Sequence, residues 1–146
     1  MNYRFNVPGE CLGKMRPKAS SFGGHAKVYT PSKQIEYENW VRMCFRQAYP
    51  EGSPIEDGIP VSVSLHIKIA VHSSLSKKRR AMALAGGITP TRKPDLDNAA
   101  KSVMDALNGV AFHDDKQVVN LTAAKSYAEE AGVSVEIETI EPGETL

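Results

Sequence analysis

Residues 61–71 contain the sequence feature that most restricts how this chain can fold. Apolar side chains occupy every second position from Val61 to Val71, and Ser62, Ser64 and His66 lie between them. An alternation with a period of two is typical of a β-strand that has one apolar and one polar face. The stretch therefore predicts a strand of a sheet.

Weaker periodicities predict the other elements. Strands are expected at 3–7, 117–127 and 133–140, with a further short strand near 27–29, and helices at 32–49, 76–85 and from about 95 to 108. The last two long strands are expected to form a hairpin through the turn at 129–132. Residues 9–27 lack periodicity and are expected to be a long, mobile, basic loop. The expected fold class is α+β, with a small mixed sheet of about four to five strands packed with about two to three helices.

The composition indicates one globular domain spanning residues 1–146, with 141–146 as a frayed tail. No apolar stretch approaches the roughly 18–20 residues of a membrane helix. The N-terminus lacks the apolar core of a signal peptide. Cys11 and Cys44 have no metal-type spacing and are expected to be reduced thiols, so we expect a cytoplasmic protein without membrane partners.

Charge is unevenly distributed along the chain. Residues 129–146 contain six glutamates and no Lys or Arg, whereas residues 1–128 hold all 18 basic residues against 11 of the 17 acidic ones. Such an excess of positive charge suits a polyanionic partner, although many proteins with this excess bind nothing anionic. One further basic run, from Lys77 to Arg80, opens a predicted helix, where cations oppose the helix dipole. It is either a solvated face or a contact for phosphates.

The run KPDLDNAAKSVMDALNGVAFHDD places five aspartates around one amphipathic helix. Asp95 falls at the predicted start of the helix, and Asp97 and Lys101 are i,i+4 neighbours on its polar face. Asp114 and Asp115 follow a short stretch that can return the chain either to the start of the helix or to the neighbouring strand. Asp105 and Asn108 extend the same polar face.

Two interpretations of these acids remain open from the residues alone. Each aspartate by itself is best explained as a helix cap, a favourable first-turn charge or a turn residue. Together with Lys101, they form a set of hard oxygen ligands of the kind that Mg²⁺ or Mn²⁺ prefers. An EF-hand is excluded because Ala99 stands where a third oxygen ligand is needed. An Asp-x-Asp phosphatase is disfavoured because a loop, not a buried strand, precedes Asp95.

The motif K-P-D-L-D-N, a lysine three residues after the Asn, and D-A-L-N-G-V-A-F-H-D-D-K-Q-V-V closely resemble the RusA family of Holliday-junction resolvases. The family is common in bacteria and their prophages, and the resemblance is strongest from Lys93 to Val119. It implies a Mg²⁺-dependent endonuclease that cuts four-way DNA junctions as a homodimer in recombination and repair. It also implies a RusA-like fold, a small mixed sheet packed with helices.

The resemblance assigns roles to individual residues. Asp95, Asp97 and Asp115 would be the essential acids and metal ligands, Lys101 the catalytic lysine, and Asp114 a reserve ligand. Asn98 matches the motif and could orient the acids. Such a site would use Mg²⁺, or Mn²⁺, to activate water and polarise the phosphate, leaving 5′-phosphate and 3′-hydroxyl ends.

Basic side chains outside the motif are expected to hold DNA phosphates. They are Lys14, Arg16, Lys18, Lys77, Lys78, Arg79, Arg80, Arg92 and Lys93. Two alternatives share these residues: a junction-binding or structured-DNA-binding protein that does not cut, and a metal-dependent nuclease for another branched or single-stranded DNA in a phage replication module.

Overall fold

The computed structural model describes residues 1–141, apart from the side chain of Phe22. Along the chain the elements are β1 (Asn2–Pro8), β2 (Lys18–Phe22), β3 (His25–Tyr29), α1 (Ser32–Ala48), β4 (Val61–Ala70), α2 (Lys77–Leu84), α3 (Leu96–Leu107), a 3₁₀ turn (Asp115–Gln117), β5 (Val118–Ala128) and β6 (Gly132–Thr139). Only Glu141 of the predicted frayed tail lies within the described residues.

A four-stranded mixed sheet in the order β1-β6-β4-β5 forms the body of the molecule. Strand β4 pairs in parallel with β5 and antiparallel with β6, which pairs antiparallel with β1. Val63, Leu65 and Ile67 of β4 are buried, whereas the residues between them face outward. Helices α1 and α3 pack against each other and against sheet strands. The expected α+β class with a mixed sheet is confirmed.

The predicted hairpin between the last two strands is wrong. Strands β5 and β6 do follow each other across residues 129–131, but β4 lies between them. Two strand spacings amount to about 9.6 Å, which a short extended connection can span. The central position suits β4 because its backbone N–H and C=O groups then have partners on both sides. Alternation within one strand does not reveal which strand will be its neighbour.

The predicted loop at 9–27 is partly a β-hairpin. Strands β2 and β3 pair in antiparallel register and form a separate two-stranded sheet. Gly23 and Gly24 connect them with φ angles of 62° and 82°, values that glycine adopts without strain and that a tight hairpin turn requires. Among the side chains that the structure describes in the hairpin, all are exposed, so it lacks the apolar alternation by which strands are recognised.

One core joins the sheet to α1 and α3. Phe45 and Phe112 are among its largest fully buried side chains, and the Tyr3 and Phe45 rings meet edge to face at 4.9 Å. Trp40 belongs to α1, where the spacing of the apolar residues favours a buried side chain, but it is 40% exposed, and its Nε1 donates a hydrogen bond to the Pro8 carbonyl at 2.8 Å. No helix within residues 1–141 has the length and apolar character to cross a membrane.

Candidate active site

Asp95 is the residue that precedes helix α3, and its carboxylate is free. It has the extended backbone of an N-cap residue, but its side chain accepts no hydrogen bond from the backbone of the first turn. Among residues 1–141, its side-chain hydrogen bond is with Asn98, whose Nδ2 donates to Oδ2 at 3.5 Å. The expectation that Asp95 serves as an ordinary capping side chain is therefore wrong. A carboxylate without a local structural partner can accept an external ligand.

Asp97 and Lys101 lie one helical turn apart on the exposed side of α3. Within the part of the chain that the structure describes, neither side chain has a hydrogen-bond or ion-pair partner. The opposite side of the helix is buried through Ala100, Val103 and Leu107. Packing of this apolar side fixes the rotation of the helix and so keeps Asp97 and Lys101 in solvent.

Asp114 and Asp115 are held at the other end of α3. The side chain of Asp114 accepts a hydrogen bond from the Lys116 amide at 2.9 Å, and the side chain of Gln117 accepts one from the Asp114 amide at 2.9 Å. The amide of Asp115 donates to Asn108 Oδ1 at 3.2 Å, next to the last turn of α3. Asp114 thus caps the 3₁₀ turn, whereas the Asp115 carboxylate is exposed.

The two neighbouring carboxyl groups have opposite pKa shifts. The hydrogen bond from the Lys116 amide lowers the pKa of Asp114 from its ordinary value of 3.8. The hydrogen bond between the two carboxyl groups raises the pKa of Asp115, and the nearby negative charges of Asp114 and Asp105 add to the rise. A cation or protonated group beside Asp115 would relieve this repulsion.

One chain does not bring all the predicted acids together. Helix α3 has 12 residues and is therefore about 18 Å long, with Asp95 and Asp97 at its beginning and Asp115 beside its end. Within residues 1–141, no three His, Cys, Asp or Glu side chains converge closely enough to hold a metal ion. Of the two courses that the sequence allows after the helix, the chain takes the one into the neighbouring strand, β5.

Asp95 and Asp97 nevertheless fit the donor set of a magnesium site. Mg²⁺ is usually bound by one or two carboxylates, with water and substrate phosphate oxygens as the other ligands. Both carboxylates are exposed, and Asp95 makes only the long contact with Asn98. The beginning of a helix also favours negative groups, including phosphates. A substrate phosphate could thus complete a site that protein ligands alone leave open.

The segment before the β2–β3 hairpin is fixed on α3. The amide of Lys14 donates to the Asn98 carbonyl at 3.0 Å, and Gly13 lies so close that an added Cβ would come within 3.3 Å of the Asn98 Cβ. The Lys14 ammonium pairs with Asp105 Oδ2 at 2.8 Å and with Glu38 Oε1 at 3.3 Å. Because two carboxylates occupy this ammonium, the structure gives no support to Lys14 as a phosphate contact.

Gln34 is a buried residue that connects three parts of the site. Its side-chain oxygen accepts from the Met15 amide at 3.0 Å, and its Nε2 donates to Ser102 Oγ at 3.0 Å. Gln34 belongs to α1, Ser102 to α3 and Met15 to the anchored segment. A glutamine in an amphipathic helix gives no sign of this role in the sequence.

A cavity of about 700 Å³ opens beside Asp95. Its wall combines apolar side chains with basic ones, among them Leu12, Ile67, Ile69, Lys68, Arg92 and Lys93. The Arg92 guanidinium donates to the Ala70 carbonyl at 3.0 Å, which holds the 90–94 segment against the end of β4.

Lys125 was missed by the sequence analysis. Its ammonium donates to the carbonyls of Arg92, at 2.8 Å, and Pro94, at 3.1 Å, so it positions the backbone directly before Asp95. A single lysine in a strand carries no motif, and only the parallel pairing of β4 with β5 brings it to this loop.

The other predicted phosphate contacts are distributed over three regions. Arg16 and Lys18 are exposed at the beginning of the hairpin, and Lys93 is exposed beside the cavity. In α2 the first three basic side chains, Lys77, Lys78 and Arg79, are exposed, and Arg80 is half-buried. Ser76 caps α2, since its Oγ accepts a hydrogen bond from the Arg79 amide at 3.3 Å.

Comparison with known proteins identifies the class to which this fold and site belong, that of the endodeoxyribonucleases. A family model described as endodeoxyribonuclease RusA matches residues 8–138. The chain belongs to the RusA family, and membership implies the activity of a Holliday-junction resolvase on branched DNA.

One similar protein is the uncharacterized protein YqaN of Bacillus subtilis (strain 168). It is 35% identical to this chain over 137 residues, which cover 94% of this chain and 96% of the relative.

Proposed function

We propose that the protein is a Mg²⁺-dependent endonuclease that resolves four-way DNA junctions by paired symmetric nicks, in recombination and repair. The observation that supports this most directly is the group of exposed side chains at the beginning of α3, the carboxylates of Asp95 and Asp97 and, one helical turn from Asp97, the ammonium of Lys101. Asp114 and Asp105, by contrast, are bound to a backbone amide and to a cation.

Asp95 and Asp97 would hold the ion, which would supply an activated water and a polarised phosphate; Mn²⁺ could replace it. Asn98 would orient Asp95 through its amide, and Lys125 would fix the loop from which Asp95 projects. Lys101 would bind a non-bridging phosphate oxygen and stabilise the additional negative charge of the transition state. Its position one turn from Asp97 places it within reach of the same phosphate.

A homodimer would explain why Asp115 lies far from Asp95. A two-fold axis perpendicular to α3 and near its middle reverses the helix direction, so the beginning of one copy's helix lies beside the end of the other's. Asp115 of the partner subunit could then join Asp95 and Asp97. Two such sites, related by the axis, suit a reaction that needs two symmetric cuts.

The exposed basic residues would bind the arms of the junction. Six of the predicted phosphate contacts are exposed and available for this role: Arg16, Lys18, Lys77, Lys78, Arg79 and Lys93. Because phosphate contacts release counterions, DNA binding should weaken steeply as salt concentration rises.

The test compares a labelled four-way junction with a linear duplex of the same sequence, with Mg²⁺ or with EDTA. The wild-type protein should nick only the junction and only with Mg²⁺. Asp97→Asn should reduce cleavage at least about a hundredfold, because it removes a ligand charge, while junction binding persists. Glu138→Gln makes the same chemical change in an exposed residue of β6 and should cut normally.

Two results would contradict the proposal and favour another function. Tight junction binding without cleavage in any divalent metal would leave a junction-binding protein. Asp97-dependent cleavage of a flap or single strand in preference to the junction would indicate a nuclease with another substrate. Thermal unfolding of each variant separates loss of chemistry from loss of fold.

A further inference from the structure

The β2–β3 hairpin extends from the body of the molecule. We call residues 16–30 the arm. With the side chain of Phe22 left aside, every residue of the arm is exposed. Its strands pair with each other and form no substantial packing with another helix or strand of the described chain. An isolated two-stranded ribbon is only marginally stable in water, so the arm has surface available for a partner.

The register of the hairpin gives the arm two unlike faces. Lys18 lies opposite Tyr29, and Ser20 lies opposite Lys27, so these four side chains share one face. The other face consists of smaller and more apolar side chains, in the pairs Ala19–Val28 and Ser21–Ala26. Two cations and an aromatic ring are thus displayed together on one side of a thin ribbon.

The charge of the arm favours a polyanion over another protein surface. No acidic residue occurs between Glu10 and Glu36, and the arm contains Arg16, Lys18 and Lys27. Salt bridges within the described residues involve none of these three cations. Cations that the fold does not use, combined with an exposed tyrosine, are the features with which proteins hold single-stranded nucleic acid.

The arm begins next to the candidate active site. The amides of Lys14 and Met15 bind Asn98 and Gln34, both at 3.0 Å, immediately before Arg16. Asn98 also contacts Asp95. A DNA strand that runs along the arm therefore leads to the acids at the beginning of α3.

We propose that the arm binds a DNA strand where it leaves the duplex at a branch point, with Lys18 and Lys27 on phosphates and Tyr29 stacked on an unpaired base. This inference rests on the proposed function. Gly23 and Gly24 give the arm a tip without side chains, so its backbone can approach DNA closely. Because stacking is interrupted at a branch point, base pairs there open more easily than in linear duplex, so a tyrosine that stacks on an opened base distinguishes the two substrates.

The test measures binding by fluorescence anisotropy in EDTA, at several salt concentrations, for a four-way junction and a linear duplex. Lys18→Ala/Lys27→Ala should make the slope of log affinity against log salt shallower by about 1.4 to 1.8, because about 0.7 is lost for each phosphate contact with a single strand and about 0.9 for each contact with duplex. Tyr29→Ala should weaken junction binding roughly tenfold and duplex binding much less. Arg4→Ala/Arg46→Ala removes two exposed cations outside the arm and should leave the slope unchanged.

Three results would overturn the inference. An unchanged slope in the double lysine variant would show that the arm does not contact phosphates. If Tyr29→Ala weakened binding to the junction and to the duplex equally, stacking of Tyr29 on an unpaired base would be excluded. A smaller mass of the arm variants in light scattering would show that the arm holds a second copy of the chain. Failure of the wild-type protein to bind any junction would instead contradict the proposed function itself.

Discussion

Asp114 and Asp115 are adjacent carboxylates with different tasks. Asp114 binds the backbone and caps a turn, whereas the Asp115 carboxyl group is exposed and has a raised pKa. The sequence alone gives no reason to assign different roles to the two residues, whereas their hydrogen bonds do. A residue that is unfavourable for the fold but retained beside a site is a candidate for function.

The first residue-scale prediction concerns Asp115. A raised pKa means that folding favours the protonated form, so the ionised pair opposes folding once the pH exceeds that pKa. Asp115→Asn should therefore raise the urea midpoint slightly at pH 7 while abolishing junction cleavage. Equilibrium unfolding and the cleavage assay check this together, and a lower midpoint with normal cleavage would contradict it.

The contribution of Asp114 to stability should depend on pH. A lowered pKa means that its contribution to stability is fully present above its ordinary value of 3.8 and is lost as the pH falls through the lowered value. Asp114→Ala should lower the urea midpoint at pH 5–7, and the difference from wild type should shrink below about pH 3.8. Asp114→Asn retains the acceptor for the Lys116 amide and should be the milder change. A difference that is constant from pH 3 to 7 would exclude this origin.

At the scale of elements, α3 positions the site because its apolar side is fixed and its polar side is free. Gln34 adds a polar connection between α1, α3 and the segment that leads to the arm. Replacing it with leucine leaves the Met15 amide and the Ser102 hydroxyl without a partner.

Gln34→Leu should reduce the free energy of unfolding by about 2 kcal/mol, because two buried polar groups lose their hydrogen bonds. Chemical denaturation measures this. Gln47→Leu, an exposed position in the same helix, is the matched control and should change stability by less than about 0.5 kcal/mol. Equal effects of the two substitutions would show that the buried connection is unimportant.

The elements differ in how well the sequence predicts them. Helix α3 and strand β4 were predicted because each buries one face, and burial imposes a period that a sequence displays. The short strand predicted near 27–29 is confirmed as part of β3, whereas β2 was not predicted, because the described side chains of the hairpin are exposed and show no apolar alternation. The strand order was not predicted because the β5–β6 connection passes over β4. Which strands pair depends on the packing of the whole sheet and not on the pattern of any one strand. The acids were found as a motif, but their separation along α3 depends on the course of residues 109–115.

At the scale of the whole molecule, the separation of the acids can be tested by mixing inactive variants. If each site takes Asp97 from one copy and Asp115 from the other, a heterodimer of Asp97→Asn and Asp115→Asn has one intact site and one doubly altered site. Co-refolded mixtures should regain nicking of one strand at up to about a quarter of wild-type activity, since half of the dimers are mixed. Mn²⁺ titration followed by electron paramagnetic resonance should show recovered binding in parallel.

As a control for subunit exchange, each of the two variants is also mixed with the wild-type protein. If mixtures of the two variants stay inactive and bind no additional Mn²⁺ although light scattering and labelled subunits confirm heterodimers, each site is built within one chain.

Because β1 pairs with β6, the complete sheet can form only after nearly all of its strands have been synthesised. Asn2 lies opposite Glu138, and β6 separates β1 from the rest of the sheet. During synthesis, more than a hundred residues separate β1 from the strand with which it pairs, whereas β4 is separated from its neighbours β5 and β6 by about half that number. Contacts so distant in sequence slow folding, and the waiting strands expose apolar edges to aggregation. A nascent chain released before β6 would lack an inner strand, so the nuclease site could not form ahead of a completed sheet.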